Sequence, residues 1–216
     1  MVLIISFLSR GDRVNWPIRA RVVGIVGLIV VLIIAILLIV ELTRQKIEPP
    51  QLSPERIAQL RLDYPTYNTS HELVYVNPLT FLEIAEEAES IIIGKVVKQL
   101  PQYEIDLIMD KYNFVQYEVA VEKVVSGKST ADTIYLAYNA MFIGHEPELK
   151  RGTRLILGTE AGKDVHEGKH FFSRYGTYYI VDDHYVLSTT DDEYSKVMNG
   201  KALQALIKEI KDVRKQ

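Results

Sequence analysis

The stretch HEGKH, His166 to His170, is where residue types and spacing point most directly to chemistry. In H-E-x-x-H, two histidines on one helical face hold a zinc ion and the glutamate between them serves as general base. Here the ligands would be His166 and His170 and the base Glu167, with Glu193, 23 residues beyond His170, as the third ligand. The extended H-E-x-x-H-x-x-G-x-x-H form fails, because Ser173 and Gly176 stand at its glycine and last histidine. Zinc chemistry also needs a helix of two or more turns, so that the imidazoles share a face. Gly162 and Gly168 each oppose helix by about 1 kcal/mol relative to alanine, and no apolar stripe offsets them. The segment also lies between two strand-like runs, so the expectation is a solvated loop with both imidazoles in water. It follows that replacing them would leave folding unchanged. No cofactor is then expected, and a membrane-anchored zinc metalloprotease is the alternative.

Other chemistry-bearing groups are weaker candidates. Asp191-Asp192-Glu193 could attract calcium but lacks the spaced D-x-D-x-D-G ligands, and it reads as a solvated loop. His145-Glu146, between Gly144 and Pro147, reads as a turn. No G-x-S-x-G occurs. Thirteen tyrosines, Tyr175, Tyr178 and Tyr179 among them, could line a ligand-binding face or fill a sheet.

The elements that must position these groups begin after an unusual N-terminal region. From Val22 to Val40 there are 19 positions without a charge or a hydrogen-bonding side chain. As a helix they cover roughly 28 Å, close to the hydrocarbon thickness of a bilayer. Glu41-Leu42-Thr43-Arg44 offers no A-x-A-like cleavage site, which favours an uncleaved anchor over a signal peptide. Arg10, Arg13, Arg19 and Arg21 precede the span and only Arg44 and Lys46 closely follow it, so the N-terminus is expected in the cytoplasm. The leading MVLIISFL is too short to span.

Beyond the span the charges are scattered with a small acidic excess and no basic stripe, which argues against nucleic acid as a partner. The chain has no cysteine and hence no disulfide framework, a usage that suits a bacterial envelope. Glu48-Pro49-Pro50-Gln51 reads as a stiff exit from the membrane. Ser53-Pro54-Glu55 opens a short helix to about residue 62, and Thr80-Phe81-Leu82-Glu83 is a capping box for a second helix ending near Glu89. The period then changes from near 3.6 to 2. Strands are expected over 91–97, 114–125, 133–138, 153–157, 178–181 and 185–187, the last two joined by Asp182-Asp183-His184. Leu203, Leu206, Ile207, Ile210 and Val213 close the chain at helical spacing.

The order AESIIIGKVV, YNFVQYEVAVEKVVSGK, TIYLAY, ELKRGTRLILG and YGTYYIVDDHYVL, followed by an amphipathic helix, resembles a group of bacterial envelope domains. That resemblance implies a five-stranded OB-like barrel over roughly residues 80–213, similar in architecture to netrin and metalloproteinase-inhibitor modules. It brings no catalytic residues. Ser90, Val125-Ser126-Gly127-Lys128 and Asp182-Asp183 depart from the motifs of the group.

The expected organisation is a cytoplasmic segment 1–21, a transmembrane helix 22–42, a linker 43–79 with a short helix, and an exported domain 80–216. The fold class is a single transmembrane helix followed by a mainly antiparallel β domain, an OB-like small barrel with flanking helices, α+β. The expected function is a non-catalytic binding or structural module of the envelope, its partners being the bilayer through 22–42 and another envelope protein.

Overall fold

The structure is a computed structural model that describes Leu32 and residues 51–67, 79–107 and 110–215. The chain divides into two units, Met1–Glu48 and Pro49–Gln216, and every described strand lies in the second. Of the expected span 22–42 only Leu32 is described, helical and exposed; the rest of the span and the segment 1–21 lie outside the described residues. Among the described residues no helix is long and apolar enough to cross a membrane.

The second unit is a mainly β domain with flanking helices. In order it runs α1 (Pro54–Leu60), α2 (Phe81–Glu87), β1 (Ser90–Leu107), β2 (Asp110–Gly127), β3 (Thr133–Asn139), β4 (Arg154–Ala161), β5 (Lys169–Phe171), β6 (Thr177–Val181), β7 (Tyr185–Ser188), α3 (Glu193–Met198) and α4 (Leu203–Val213). Antiparallel pairings join β1 to β2, β2 to β3, β5 to β4 and β4 back to β1, while β3 and β5 pair in parallel. These five pairings return to their starting strand and so form a ring. The β6–β7 hairpin extends from β4 beside β5.

Strand alternation divides the core in two. Ile92, Val96, Val115, Tyr117, Val119, Ile134, Leu136, Leu155, Leu157, Tyr179 and Leu187 belong to one buried cluster. Their neighbours Ile91, Ile93, Ile156, Tyr178, Ile180 and Val186 belong to a second, with Phe81 and Ala85 of α2 and Leu206, Ile207 and Ile210 of α4. The runs III, LIL and YYIV are continuously apolar because the strands carrying them are covered on both faces. The outer faces of β2 and β3 are more open, with Tyr135 exposed, so the period of 2 shows more clearly there.

Local chemistry sets the helix starts. The Ser53 hydroxyl accepts from the Arg56 N–H, with Pro54 in the first turn. The Thr80 capping box is complete: the Glu83 N–H donates to the Thr80 hydroxyl and the Thr80 N–H to the Glu83 carboxylate. Residues 51–67, which include the expected short helix, pack on the rest of this unit. Leu60 is buried in the core, the Leu52 N–H donates to the Gly200 carbonyl at 2.9 Å, and the Tyr67 N–H donates to that of Thr189 at 2.7 Å.

β1 runs ten residues past its expected end at Val97, through Pro101. Its pairing with β4 stops at Lys95, so beyond that point the far edge of β1 is free of β4. A proline in such a stretch removes no ladder bond, and the register shift between Leu100 and Tyr103 absorbs it.

Candidate functional site

HEGKH is not on a helix. A 3-10 turn, Asp164–His166, is followed by Glu167 in extended conformation, Gly168 at φ +80°, and β5, which contains His170. The φ of Gly168 lies in the left-handed region that favours glycine, and it turns the chain between the two histidines. Glu167 is exposed. Glu193 opens α3 beside β7, with its carboxylate 2.8 Å from the Lys196 ammonium. β7 and β5 are separated in the sheet by β4 and β6, so the fold does not bring Glu193 to the histidines. Among the described residues no group of three His, Asp or Glu side chains is placed to hold a metal ion.

The expectation that both imidazoles stand in water needs correction. His166 packs against Phe114 and Phe171 with ring centroids 4.7 and 4.9 Å away, and its Nδ1 lies 3.2 Å from the Tyr103 hydroxyl. Apolar side chains of the β1–β2 hairpin and of β5 thus form a seat for this ring. His170 is half-buried in β5, and burial pushes its pKa down against the pull of Glu89. His166→Ala should therefore destabilise the domain by about 1–2 kcal/mol through lost ring contacts and the hydrogen bond, where a solvated side chain would give close to zero. Thermal unfolding of the full chain checks this.

Asp191-Asp192-Glu193 is a helix start. The Asp192 carboxylate accepts from the Ser195 N–H at 2.9 Å and caps α3.

The loop read as a simple turn at His145-Glu146 builds the most site-like feature. After β3, Asn139 caps a 3-10 turn, Ala140–Phe142, by accepting from the Met141 N–H. The chain then folds over one end of the ring, and the Glu148 N–H donates to the Tyr67 hydroxyl at 3.0 Å. Between this loop, β1, β2 and β3 lies a cavity of about 330 Å³. Tyr67, Tyr117, Tyr138, Glu146, Glu148 and Gln99 are among its lining residues. Tyr117 and Tyr138 are buried ring neighbours, their centroids 6.5 Å apart.

Glu146 is buried with Arg174, their side chains 8% and 6% exposed. One carboxylate oxygen accepts the Arg174 backbone N–H at 2.5 Å and the other lies 3.5 Å from the guanidinium. Arg174 also donates to the His145 carbonyl at 2.8 Å and the Tyr175 hydroxyl at 3.0 Å. Burial pushes the Glu146 carboxyl up to about 7, and Arg174 opposes the shift. Burial likewise raises the phenol of Tyr138, with Tyr117 beside it adding to the effect. The phenols of Tyr117 and Tyr138 are thus neutral near pH 7, and the site offers aromatic rings, hydroxyl donors and carboxyl groups.

Because the folded carboxyl binds its proton more tightly than the unfolded one, Glu146 contributes stability below pH 4.5 that is lost as pH rises through about 7. The loss is on the order of 3 kcal/mol. Subtracting the pH–stability profile of Glu146→Gln from that of the parent, by urea unfolding, isolates this change.

No family model and no curated protein matches the chain. The site therefore rests on its own geometry. Inward-facing tyrosines on alternating strands, Tyr117 and Tyr138, were its one signal in the sequence, since a phenol in the interior of a β domain needs a polar partner or an opening. Nothing local marked Glu146, whose burial depends on Arg174, 28 residues away.

Proposed function

We propose that the chain is a single-pass membrane protein of the cell envelope, anchored through residues 22–42, whose exported OB-like barrel is a non-catalytic binding module. The OB-like assignment draws support from the ring of pairings β1–β2–β3–β5–β4–β1, with its single parallel contact between β3 and β5. The observation that carries the binding role is the tyrosine-lined cavity at the ring's end, with one buried and one exposed carboxylate. Small-molecule sites are concave, largely apolar and fitted with a few placed polar groups. The 330 Å³ cavity falls at the small end of that class.

Thermal unfolding of the full chain in a maltoside detergent tests the role. The probes are choline, erythritol, succinate, inorganic phosphate and alanyl-alanine, added to the parent and to Tyr138→Leu. Stabilisation of the parent by one class, absent in the variant, is the expected result. No stabilisation by any probe, or a chelator-sensitive peptidase activity that Glu167→Gln abolishes, would overturn it.

The exported orientation has its own test. The chain has no cysteine, so a single thiol introduced by Met141→Cys, at a side chain that is 67% exposed, reports without background. A membrane-impermeant maleimide added to intact cells should label it nearly completely. Labelling only after lysis would place the domain on the cytoplasmic side.

A further inference from the structure

We propose that the cavity at the end of the barrel receives a small organic ammonium ion; this rests on the binding role above and names its ligand class. Three phenol rings, Tyr67, Tyr117 and Tyr138, share the lining with two carboxylates, Glu146 and Glu148. The other side chains there are Gln99, Gln102, Val115 and Ile143, and none of the lining residues is basic. Aromatic rings attract a cation through their quadrupole, and of the two buried rings Tyr138 is the more accessible, at 6% exposed. A carboxylate nearby adds a direct Coulombic pull.

The competing ligand classes fit less well. An anion would need Arg174, but its guanidinium is engaged with Glu146, the His145 carbonyl and Tyr175 and does not line the cavity. A bare metal ion would need a converging set of carboxylates and imidazoles, and no group of three is so placed among the described residues. A neutral polyol could satisfy the amides and hydroxyls but would gain nothing from the charge of Glu148. An ammonium ion uses the rings and the acid at the rim together, while Glu146 stays paired with Arg174. The loop supplying both acids is tied to the segment after α1 by the Glu148 N–H to Tyr67 hydroxyl bond and to Arg174, between β5 and β6, by the Glu146 carboxylate, so the carboxylates are positioned before a ligand arrives.

Isothermal titration of the full chain in maltoside micelles compares choline with 3,3-dimethylbutan-1-ol, its neutral isostere. Saturable binding of choline at one site is expected, with at least tenfold weaker binding of the alcohol. Glu148→Gln, at an exposed position, should weaken choline about tenfold while leaving the melting temperature unchanged. Tyr138→Phe, which keeps the ring, should retain binding, and Tyr138→Leu should lose it. Equal binding of choline and the alcohol overturns the ammonium assignment and leaves the cavity as a binding site. If choline does not bind while another probe class stabilises the chain through Tyr138, the ligand class is wrong and the binding role stands. If no probe binds, both fail.

Discussion

Arg174→Met should destabilise the domain by about 3–5 kcal/mol at pH 8, because the buried Glu146 carboxyl loses its cation and must then stay ionised unpaired or take up a proton. The backbone N–H of Arg174 still donates to Glu146 but cannot replace a full charge. The variant also withdraws donors from the His145 carbonyl and the Tyr175 hydroxyl, both of which help seat the loop over the cavity. At pH 5 the loss should be smaller, since the carboxyl, already pushed up to about 7, is then protonated and needs no counter-ion. A second change, Glu146→Leu, should restore much of the stability, because an apolar pair of similar volume avoids the cost of two buried charges. Urea unfolding of the parent, the single variants and the double variant at both pH values gives the coupling. Equal losses at pH 5 and pH 8 would mean that Arg174 acts through packing alone.

Gly127→Ala should cost on the order of 3 kcal/mol. Gly127 ends β2 opposite Ser90 with φ at +91°, a region costly for any residue with a Cβ. A Cβ there would also run into the Glu89 carbonyl oxygen and come within 2.9 Å of both the Ser90 Cα and an Arg214 guanidinium nitrogen. None of the backbone can give way easily, for the Lys128 N–H donates to the Glu89 carbonyl and the Ser90 hydroxyl to that of Lys128. Arg214 would be displaced from the carbonyls of Ala85 and Ala88, where it closes the C-terminal end of α2. Conformational strain of about 1–2 kcal/mol and overpacking of about 1–3 kcal/mol act together. Gly168→Ala is the control. Its φ is +80° but a Cβ there meets open space, so only the strain should appear, about 1–2 kcal/mol. Denaturation midpoints of the two variants separate the collision from the backbone preference.

Features governed by chemistry a few residues apart were legible before the structure. The Ser53-Pro54 start, the Thr80–Glu83 capping box and the apolar stripe of α4 each reflect contacts within one or two turns. The Asp182-Asp183 turn belongs with them: both residues have positive φ, +47° and +61°, a conformation that short polar side chains tolerate. Features that depend on distant partners were not legible. β5 is only three residues long, and its edges are satisfied by β3 and β4, so no period could reveal it. β1 crosses Pro101 because of where β4 ends. α1 carries one buried residue, Leu60, and the cluster it joins is drawn mostly from residues distant in the sequence. HEGKH illustrates the same division: its glycines argued against a helix, yet the aromatic seat of His166 draws on Tyr103 and Phe114, which no local pattern connects to it. The acidic half of the cavity was hidden for this reason as well, since Glu146 is buried by a residue of another loop.

The central claim, that the tyrosine-lined end of the ring is where this chain binds its ligand, is tested most directly by nuclear magnetic resonance on full chain carrying carbon-13-labelled tyrosine. Choline, erythritol, succinate, phosphate and alanyl-alanine are added in turn. Saturable movement of the Tyr117 and Tyr138 ring signals with at least one probe, while exposed Tyr135 stays in place, is the result the account predicts. Signals of Tyr117 and Tyr138 that remain fixed with every probe would contradict it.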